Sequence, residues 1–198
     1  MLDERLLDRP PERVTVADQG CGRLRHLPVL QEHFNTIYLV DTEFQLGRRQ
    51  TLFGQERSTI REYVDTLSSP DGSLSVLSDT EFACSALGLD LVFNTCVFDV
   101  ETPAQRSAMA LAAHRNLRDQ GIYVLIVPRN DHSILRRCHD DNRYLDGHIF
   151  HHHGVSTFYK NFRNTGPLLQ LLTDRGFSVK SDLSVHRQIC LLLRKVGA

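Results

Sequence analysis

The sequence has little of several residue types that mark particular classes of protein. It contains no tryptophan and two methionines, and its 23 basic residues include only three lysines: Lys160, Lys180 and Lys195. The formal net charge is −1 at pH 7, so the chain exerts no general electrostatic attraction on DNA or on an anionic membrane. Binding to such partners would therefore need a local patch rather than the charge of the whole protein.

The sequence also lacks paired cysteines and long apolar runs. The first absence disfavours a disulfide-dense or zinc-knuckle protein, and the second disfavours a membrane-spanning one. The five cysteines are odd in number, form no CxxC pair and are scattered along the chain: Cys21, Cys84, Cys96, Cys138 and Cys190. No apolar run approaches the roughly 20 residues of a membrane-spanning helix, and acids occupy the N-terminal region where a signal peptide would be basic and apolar. We therefore predict a cytoplasmic protein with reduced thiols.

The composition and the spacing of apolar segments predict a single α/β domain. At 198 residues, with 41% hydrophobic and 24% charged residues, the chain can bury one sizeable core. Five apolar or β-branched strand segments alternate with helical segments, and two more strand segments follow near the end. We predict these strands at 14–17, 36–41, 74–77, 89–94, 122–128, 177–179 and 189–193.

The first of these strands runs into a glycine loop. After Ala17 the sequence reads Asp18-Gln19-Gly20-Cys21-Gly22, and Leu24 and Leu27 then begin the apolar face of a helix. Glycines without a Cβ let a ligand approach the backbone closely. Because the carboxylate of Asp18 would repel phosphates, the loop favours a cationic ligand; the alternative is an ordinary strand–helix turn.

A second acid, Asp41, ends the second predicted strand. It follows the glycines by about 20 residues, which is the distance at which an acid at a strand end accepts both hydroxyls of a ribose. The alternative is a solvated aspartate with no ligand. Asp41 and the glycine loop together indicate a nucleoside-containing, cationic ligand more strongly than either feature does alone.

Together these motifs resemble those of the class I S-adenosylmethionine-dependent methyltransferases. The acid-x-Gly-x-Gly pattern resembles their motif I, with Leu24 where a third glycine usually stands. Residues 89–94 resemble their motif IV, and Arg175–Val179 resembles the run that introduces their last two strands. The resemblance implies a Rossmann-like three-layer sandwich over residues 1–198, with a seven-stranded, mostly parallel sheet in the order 3-2-1-4-5-7-6 and strand 7 antiparallel.

The resemblance also implies S-adenosylmethionine as the cofactor and a set of residues to bind it. Gly20 to Gly22 would lie against the methionine portion, Asp41 on the ribose, Asp79 at the adenine amino group and Asn94 beside the methyl group. The alternative is a structural role, in which either Asp79 or Ser78 is the N-cap of the following helix. The full expected set is Asp18, Gly20, Cys21, Gly22, Asp41, Thr42, Asp79, Thr80 and Asn94.

The segment 129–164 differs from the rest of the chain. It connects the fifth strand to the next helix and is longer than an ordinary loop. It holds five arginines and one lysine against four aspartates, six histidines, and aromatics among these charges. We predict an inserted lid on the substrate side of the pocket, the alternative being a solvated loop. Its expected substrate-side residues are Arg136, Arg137, Arg143 and Tyr159.

Histidines in this segment are also candidates for the general base that methyl transfer to a hydroxyl or an amine requires. His132, close after the fifth strand, and His153 are the candidates. A metal site at His148 and 151–153 with nearby aspartates is the alternative. Adjacent residues rarely bind one ion and no HxxxH pair is present, so we expect no metal.

The sequence thus predicts a methyltransferase that acts on an oxygen or nitrogen of a small acceptor, with an anionic acceptor favoured by the arginines. Methyl transfer to nucleic acid or protein is an alternative, although no nucleic-acid motif supports it. A non-catalytic protein that uses the cofactor fold for binding or as a partner subunit is a third. The sequence does not name the acceptor.

Overall fold

The computed structural model describes residues 9–67, 73–129, 132–152 and 154–197, and a central β-sheet dominates these ranges. The strands are β1 (Thr15–Gln19), β2 (Thr36–Asp41), β3 (Gln50–Leu52), β4 (Gln55–Ser58), β5 (Leu74–Ser78), β6 (Leu89–Thr95), β7 (Leu117–Pro128), β8 (Arg143–Tyr144), β9 (Gly147–His152), β10 (Val155–Tyr159), β11 (Phe177–Asp182) and β12 (Gln188–Lys195). The α-helices are α1 (Leu27–His33), α2 (Glu43–Gly47), α3 (Ile60–Leu67), α4 (Asp79–Cys84), α5 (Pro103–Asn116), α6 (His132–Leu135) and α7 (Gly166–Thr173).

The central sheet has seven strands in the order β5-β2-β1-β6-β7-β12-β11. The first five of these strands run parallel, and β12 runs antiparallel to both β7 and β11. Numbered by the seven strands of the sheet, this is 3-2-1-4-5-7-6 with the seventh antiparallel, so the predicted fold class is confirmed. The strand that carries the glycine loop, β1, lies between β2 and β6 in this sheet.

The core lies on both faces of this sheet because alternate residues of each strand point to opposite sides. Val16 is in register with Leu91, and both belong to the cluster on one face. The next pair, Ala17 and Val92, belongs to the cluster on the other face. All four are completely buried, which is typical of a central parallel strand covered by helices on both sides.

Two helices that follow strands of the sheet begin with complete capping boxes. The Ser78 hydroxyl accepts from the backbone N–H of Glu81 at the start of α4, and the Glu81 carboxylate accepts from the Ser78 backbone N–H at 2.7 Å. Thr102 and Gln105 repeat the arrangement at α5. Each box satisfies two backbone donors that a helix start otherwise leaves unpaired, which fixes where the chain turns after β5 and β6.

The boundary between α5 and β7 lies earlier than the sequence suggests. The predicted strand begins at residue 122, but α5 ends at Asn116 and Leu117 is already extended. The Asn116 side-chain amide donates to the backbone carbonyls of Phe82 and Ala112, at 2.6 and 3.0 Å. A side chain that bonds to backbone in this way ends the helix, and a buried Leu117 joins the sheet instead.

Two connections contain structure that the sequence analysis did not predict. Between β2 and α3 lie the short helix α2 and a hairpin of β3 and β4. Within 129–164, β8, β9 and β10 form a separate three-stranded antiparallel sheet. In the described ranges no helix is both long and apolar enough to cross a membrane, and all five cysteines are free thiols.

A buried carboxylate fastens the amino-terminal edge of the central sheet. Asp90 on β6 is fully buried, accepts from the backbone N–H and hydroxyl of Thr15 on β1, and is paired with the guanidinium of Arg118 on β7. Burial tends to raise the pKa of Asp90, but the hydrogen bonds from Thr15 and Arg118 outweigh it and leave the pKa below its ordinary value of 3.8.

We predict that Asp90→Asn destabilises the protein by about 3–5 kcal/mol, because it leaves the Arg118 guanidinium without its buried counter-charge. Since the pKa of Asp90 is lowered on folding, the advantage of the wild type is present at pH 7 and shrinks as the pH falls below about 4. Urea denaturation at several pH values measures this. The exposed Asp119→Asn is the matched control, and equal effects of the two substitutions would contradict the assignment.

Candidate functional site

The glycine loop is tied to the neighbouring strand rather than left open to an anion. The backbone N–H groups of Gly20 and Cys21 both donate to the carbonyl of Val40 on β2, at 2.7 and 3.0 Å. Gly20 and Gly22 adopt positive φ angles of 86° and 55°, which glycine reaches at no steric cost. Because Val40 already takes two of its donors, this loop is not built as a phosphate cradle, in agreement with the sequence analysis.

The position of the missing third glycine keeps the backbone conformation of a glycine. Leu24 has a φ of 59° and is fully buried in the core cluster beside α1. A non-glycine residue in the left-handed region costs about 1–2 kcal/mol, and burial of the leucine side chain offsets that cost. The loop therefore keeps its shape although the sequence pattern is incomplete.

Asp41 lies directly beside the loop. Its Oδ2 accepts from the backbone N–H of Gly22 at 2.7 Å, and its Oδ1 accepts from the N–H of Thr42 at 2.8 Å. Burial raises the pKa of Asp41, the two backbone hydrogen bonds lower it, and the carboxylates of Asp18 and Asp79 raise it again, with a net increase. The end of β2 is thus fixed in position against the glycine loop.

Asp18, the acid before the glycines, is buried behind the loop with 1% exposure. Neither of its carboxylate oxygens meets hydrogen-bond geometry with a group in the described part of the chain. Its nearest cationic partner is His26, whose Nδ1 lies 3.5 Å from Asp18 Oδ2. Interaction with Asp18 raises the pKa of His26 despite partial burial. A buried carboxylate with so little compensation attracts a cation strongly.

A cavity of about 320 Å³ opens beside the loop, at the carboxyl ends of β1, β2, β5 and β6. Five of the nine expected cofactor residues line it, namely Gly20, Asp41, Thr42, Asp79 and Thr80. The other four, Asp18, Cys21, Gly22 and Asn94, do not line it. Its remaining wall comes from Gln19, Val40, Phe82, Ala83, Cys84, Val97, Glu101, Gln105, Ala108, Met109 and Ala112.

The competing roles of Ser78 and Asp79 are separated by the structure. Ser78 is the N-cap of α4. The Asp79 carboxylate accepts the backbone N–H of Thr80 at 2.8 Å and lines the cavity. Because Ser78 supplies the cap, the Asp79 carboxylate is available to a ligand in the cavity.

Asn94 takes part in a buried polar group next to the cavity instead of lining it. Its side-chain amide and the hydroxyl of Tyr123 both donate to Gln19 Oε1, at 3.2 and 3.0 Å. The Gln19 amide in turn donates to the backbone carbonyl of Met109 on α5 at 3.0 Å. These bonds link β1, β6, β7 and α5 behind the cavity wall. Cys21 is buried too, and burial raises the pKa of its thiol, so it is not a reactive group.

Glu101 is the most informative wall residue that the sequence analysis missed. It directly precedes the N-cap of α5 and lines the cavity that also contains Asp41 and Asp79. Its pKa is raised to about 7, first by burial and then by the carboxylates of Asp41 and Asp79, whereas Arg106 opposes the increase. The capping signal Thr102-x-x-Gln105 could have placed Glu101 at the sheet edge, but no motif assigned it a role.

These groups suit one class of ligand. Three carboxyl groups face a cavity whose other walls are largely apolar, so they favour a positive charge and groups that donate hydrogen bonds, such as hydroxyls or an amino group. Desolvation disfavours three charges together, which is the reason that the pKa values of Asp41 and Glu101 are both raised.

The segment 129–164 contributes no described residue to this cavity. Arg136 and Arg137 line a second, open cavity of about 370 Å³, whereas Arg143 is exposed on β8 and Tyr159 is 3% exposed at the end of β10. His132 begins α6. The other candidate base, His153, lies outside the described residues.

The three-stranded sheet of this segment is nevertheless anchored to the helix that forms the wall of the first cavity. Arg106 of α5, 3% exposed, binds the Asp146 carboxylate at 2.5 Å and lies over the ring of Phe162. Lys160 donates from its backbone N–H to the carbonyl of Asp99 at 2.6 Å and from Nζ to that of Asp146. The segment therefore lies against the β6–α5 loop, which carries Glu101.

Comparison with known proteins supports the fold. The sequence matches no protein-family model, and no curated protein matches it. Similar solved structures are an S-adenosylmethionine-dependent methyltransferase from Methanosarcina mazei (15% identity, TM-score 0.67, 94% of each chain), the 1,6-didemethyltoxoflavin-N1-methyltransferase of Burkholderia thailandensis with its substrate and S-adenosylhomocysteine bound (14%, 0.64, 92% of this chain and 71% of that one), and the magnesium protoporphyrin IX methyltransferase of Synechocystis (16%, 0.58, 92% and 74%). The chain has the class I methyltransferase fold.

We predict that Gly20→Ala destabilises the protein by about 2–4 kcal/mol. A Cβ there would lie 2.3 Å from Cγ2 of Val97 and would also sit at a positive φ. Gly54→Ala is the matched control, since it has a φ of 83° but open space around its Cβ, and should cost only about 1 kcal/mol.

The clash can be separated from the backbone strain by a double-mutant cycle measured by urea denaturation. In a Val97→Ala background the cost of Gly20→Ala should fall towards that of Gly54→Ala, because both methyl groups of Val97 are gone and only its Cβ, at 3.2 Å, stays close. An equal cost in both backgrounds would show that Val97 does not pack against the loop.

A second prediction concerns Glu101. Because its pKa rises from 4.5 to about 7 on folding, the wild type loses stability as the pH rises through this window. Glu101→Gln should therefore be nearly neutral at pH 5 and should stabilise the ligand-free protein at pH 8 by on the order of 1 kcal/mol, after allowance for partial solvent exposure. Thermal unfolding at several pH values measures this. The exposed Glu32→Gln is the control, and a pH-independent difference for Glu101→Gln would contradict the prediction.

Proposed function

We propose that this protein is a methyltransferase that binds S-adenosylmethionine in the 320 Å³ cavity. The observation that carries the proposal is the placement of Asp41 and Asp79 on one cavity beside Gly20, with Asp18 buried next to the loop and, among the described residues, paired at 3.5 Å with His26 alone. The sequence motifs alone could not establish that these acids face a shared space.

The residues fit this cofactor in charge as well as in hydrogen bonding. The cofactor carries a sulfonium and an ammonium, and the cavity and its surroundings offer carboxylates rather than phosphate-binding N–H groups. Asp41 would accept from the ribose hydroxyls, and Asp79 would accept from the adenine amino group. Phe82 and Met109 add apolar wall for the rings, and the negative charge of the buried Asp18 would favour the ammonium over an anion.

When bound, S-adenosylmethionine supplies an activated methyl group, so the cofactor carries the difficult chemistry. The protein has to hold it in place, align the acceptor and exclude water. The hydrogen bonds of Val40 and Asp41 to the glycine loop hold that loop against β2 before any ligand arrives. Such preorganisation lowers the entropic cost of binding.

We further propose that the acceptor is a small molecule methylated on oxygen or nitrogen, and that residues 129–164 form a lid on the acceptor side. Two observations support this. The segment is anchored by Arg106 and Lys160 next to the cavity wall, and a similar fold from Burkholderia thailandensis was solved with the small molecule 1,6-didemethyltoxoflavin bound. His132 and His153 remain the candidates for a general base within this segment.

Calorimetric titration with S-adenosylhomocysteine tests the cofactor assignment directly. Asp41→Ala should weaken binding by about tenfold to a hundredfold, as expected for loss of a hydrogen bond to a charged group, and Asp79→Ala should weaken it by a smaller factor. Asp65→Ala, an exposed acid on α3, is the matched control and should leave the affinity unchanged.

Asp41 also accepts from the backbone N–H of Gly22. Part of the loss of affinity in Asp41→Ala could therefore come from a displaced glycine loop rather than from a lost bond to the ligand. Thermal unfolding of each variant without ligand separates the two causes, since within the described ranges Asp79 accepts only from the adjacent Thr80 and makes no bond to the glycine loop. Unchanged affinity in both Asp41→Ala and Asp79→Ala would refute binding in this cavity.

A further inference from the structure

We propose that the second cavity, between the turn 136–142 and strand β9, binds a small aromatic anion and is the recognition site for the methyl acceptor. It has a volume of about 370 Å³ and is lined by two arginines, two histidines, an asparagine and two apolar side chains, notably Arg136, Arg137, His139, Asn142, Phe150 and His151. The assignment to the acceptor rests on the proposed function, whereas binding of the anion does not.

The turn that carries the arginines has a fixed shape. The Asn142 side chain donates to the carbonyl of Arg137 at 2.8 Å and accepts the backbone N–H of His139 at 3.0 Å. The backbone N–H of Arg137 donates to the carbonyl of Ile134 at 2.8 Å. Since both ends of the turn are hydrogen-bonded, the backbone positions of Arg136 and Arg137 are set before a ligand arrives.

The opposite wall belongs to a paired strand and supplies an aromatic surface. Phe150 and His151 lie on β9, which pairs with Thr157 and Ser156 of β10, and His151 Nδ1 is 2.8 Å from the Ser156 hydroxyl. The guanidinium carbon of Arg137 lies 4.8 Å from the centre of the Phe150 ring. A guanidinium stacked on a ring keeps its in-plane N–H donors free to bind an anion.

The charges of this wall define the class of ligand. No acidic side chain lines the cavity, and within the described residues neither Arg136 nor Arg137 has a carboxylate within 4.0 Å. Arginines of this kind bind carboxylate or phosphate, and Phe150 with Ile149 offers apolar surface to a ring. The ligand is therefore a ring compound that carries a carboxylate or a phosphate.

A small molecule is favoured over a nucleic acid. Tight binding of nucleic acid uses several phosphate contacts along an extended basic track, and the net charge of the chain is −1. The exposed acids Asp140 and Asp141 lie in the same turn as the arginines and would repel a second phosphate. The cavity volume also falls in the range of small-molecule sites.

The second cavity lies at the same edge of the central sheet as the first cavity. Its walls follow β7 directly through α6, at the same carboxyl edge of the sheet where the cofactor cavity opens. Strand β9 begins at Gly147, next to Asp146, the residue that Arg106 holds against α5. The second cavity is thus built on the segment that is anchored beside Glu101 and Gln105 of the first.

Titration of the protein with phenyl phosphate, monitored by calorimetry or NMR, tests the proposal. Phenol serves as a probe of the ring alone, and inorganic phosphate as a probe of the charge alone. Phenyl phosphate should bind saturably and more tightly than either. Arg136→Gln and Arg137→Gln should each weaken it by about fivefold or more, and Arg163→Gln, an exposed arginine of the same segment outside the cavity, by less than about twofold.

The same variants should bind S-adenosylhomocysteine with affinity unchanged within about twofold, and saturating S-adenosylhomocysteine should not displace phenyl phosphate. Displacement, equal effects of all three arginine substitutions, or tighter binding of a single-stranded oligonucleotide than of phenyl phosphate would overturn the proposal. Failure of S-adenosylhomocysteine to bind the wild type would instead refute the proposed function while leaving the anion site measurable.

Discussion

The whole site depends on the hydrogen bonds between the glycine loop and β2. The carbonyl of Val40 accepts from two successive loop N–H groups, and the next side chain along β2, Asp41, accepts from Gly22. The loop therefore cannot move independently of the strand that carries the ribose-binding candidate. Because these donors are already used, the loop contributes shape and closeness of approach, and selection of the ligand by charge is left to the carboxylates of Asp41, Asp79 and Glu101.

These carboxylates give the cavity a negative charge that a bound cation would balance. Their mutual repulsion and burial are visible in the raised pKa values of Asp41 and Glu101, and Asp18 is buried behind them with little compensation. A group of acids with these properties is costly in the free protein, and a cationic ligand recovers part of that cost on binding. The second cavity has the opposite sign, so the two sites would separate a cationic cofactor from an anionic acceptor.

The sequence was sufficient to predict the sheet and the acids at its edge because strand periodicity and the spacing of acids are local signals. It did not predict the structure of 129–164, whose three strands pair with one another and are fixed by distant groups such as Arg106. Nor did it identify Glu101 as a wall residue, since that role depends on how α5 packs. Leu24 is a case in which the sequence pattern was too strict. It stands where the pattern usually has a third glycine, yet its backbone has the positive φ that glycine adopts most easily.

The position of β12 in the sheet has a consequence for synthesis on the ribosome. The described lining of the 320 Å³ cavity lies between Gln19 and Ala112, whereas β7 receives its second neighbour only when 188–195 has been made. Until then the nascent chain presents the apolar strand Ile122–Val127 with one row of unpaired backbone groups. An unpaired apolar edge of this kind invites pairing with other chains. A truncation after residue 182 removes β12 but no described lining residue of the 320 Å³ cavity. We nevertheless expect it to lower the yield of protein from cells strongly.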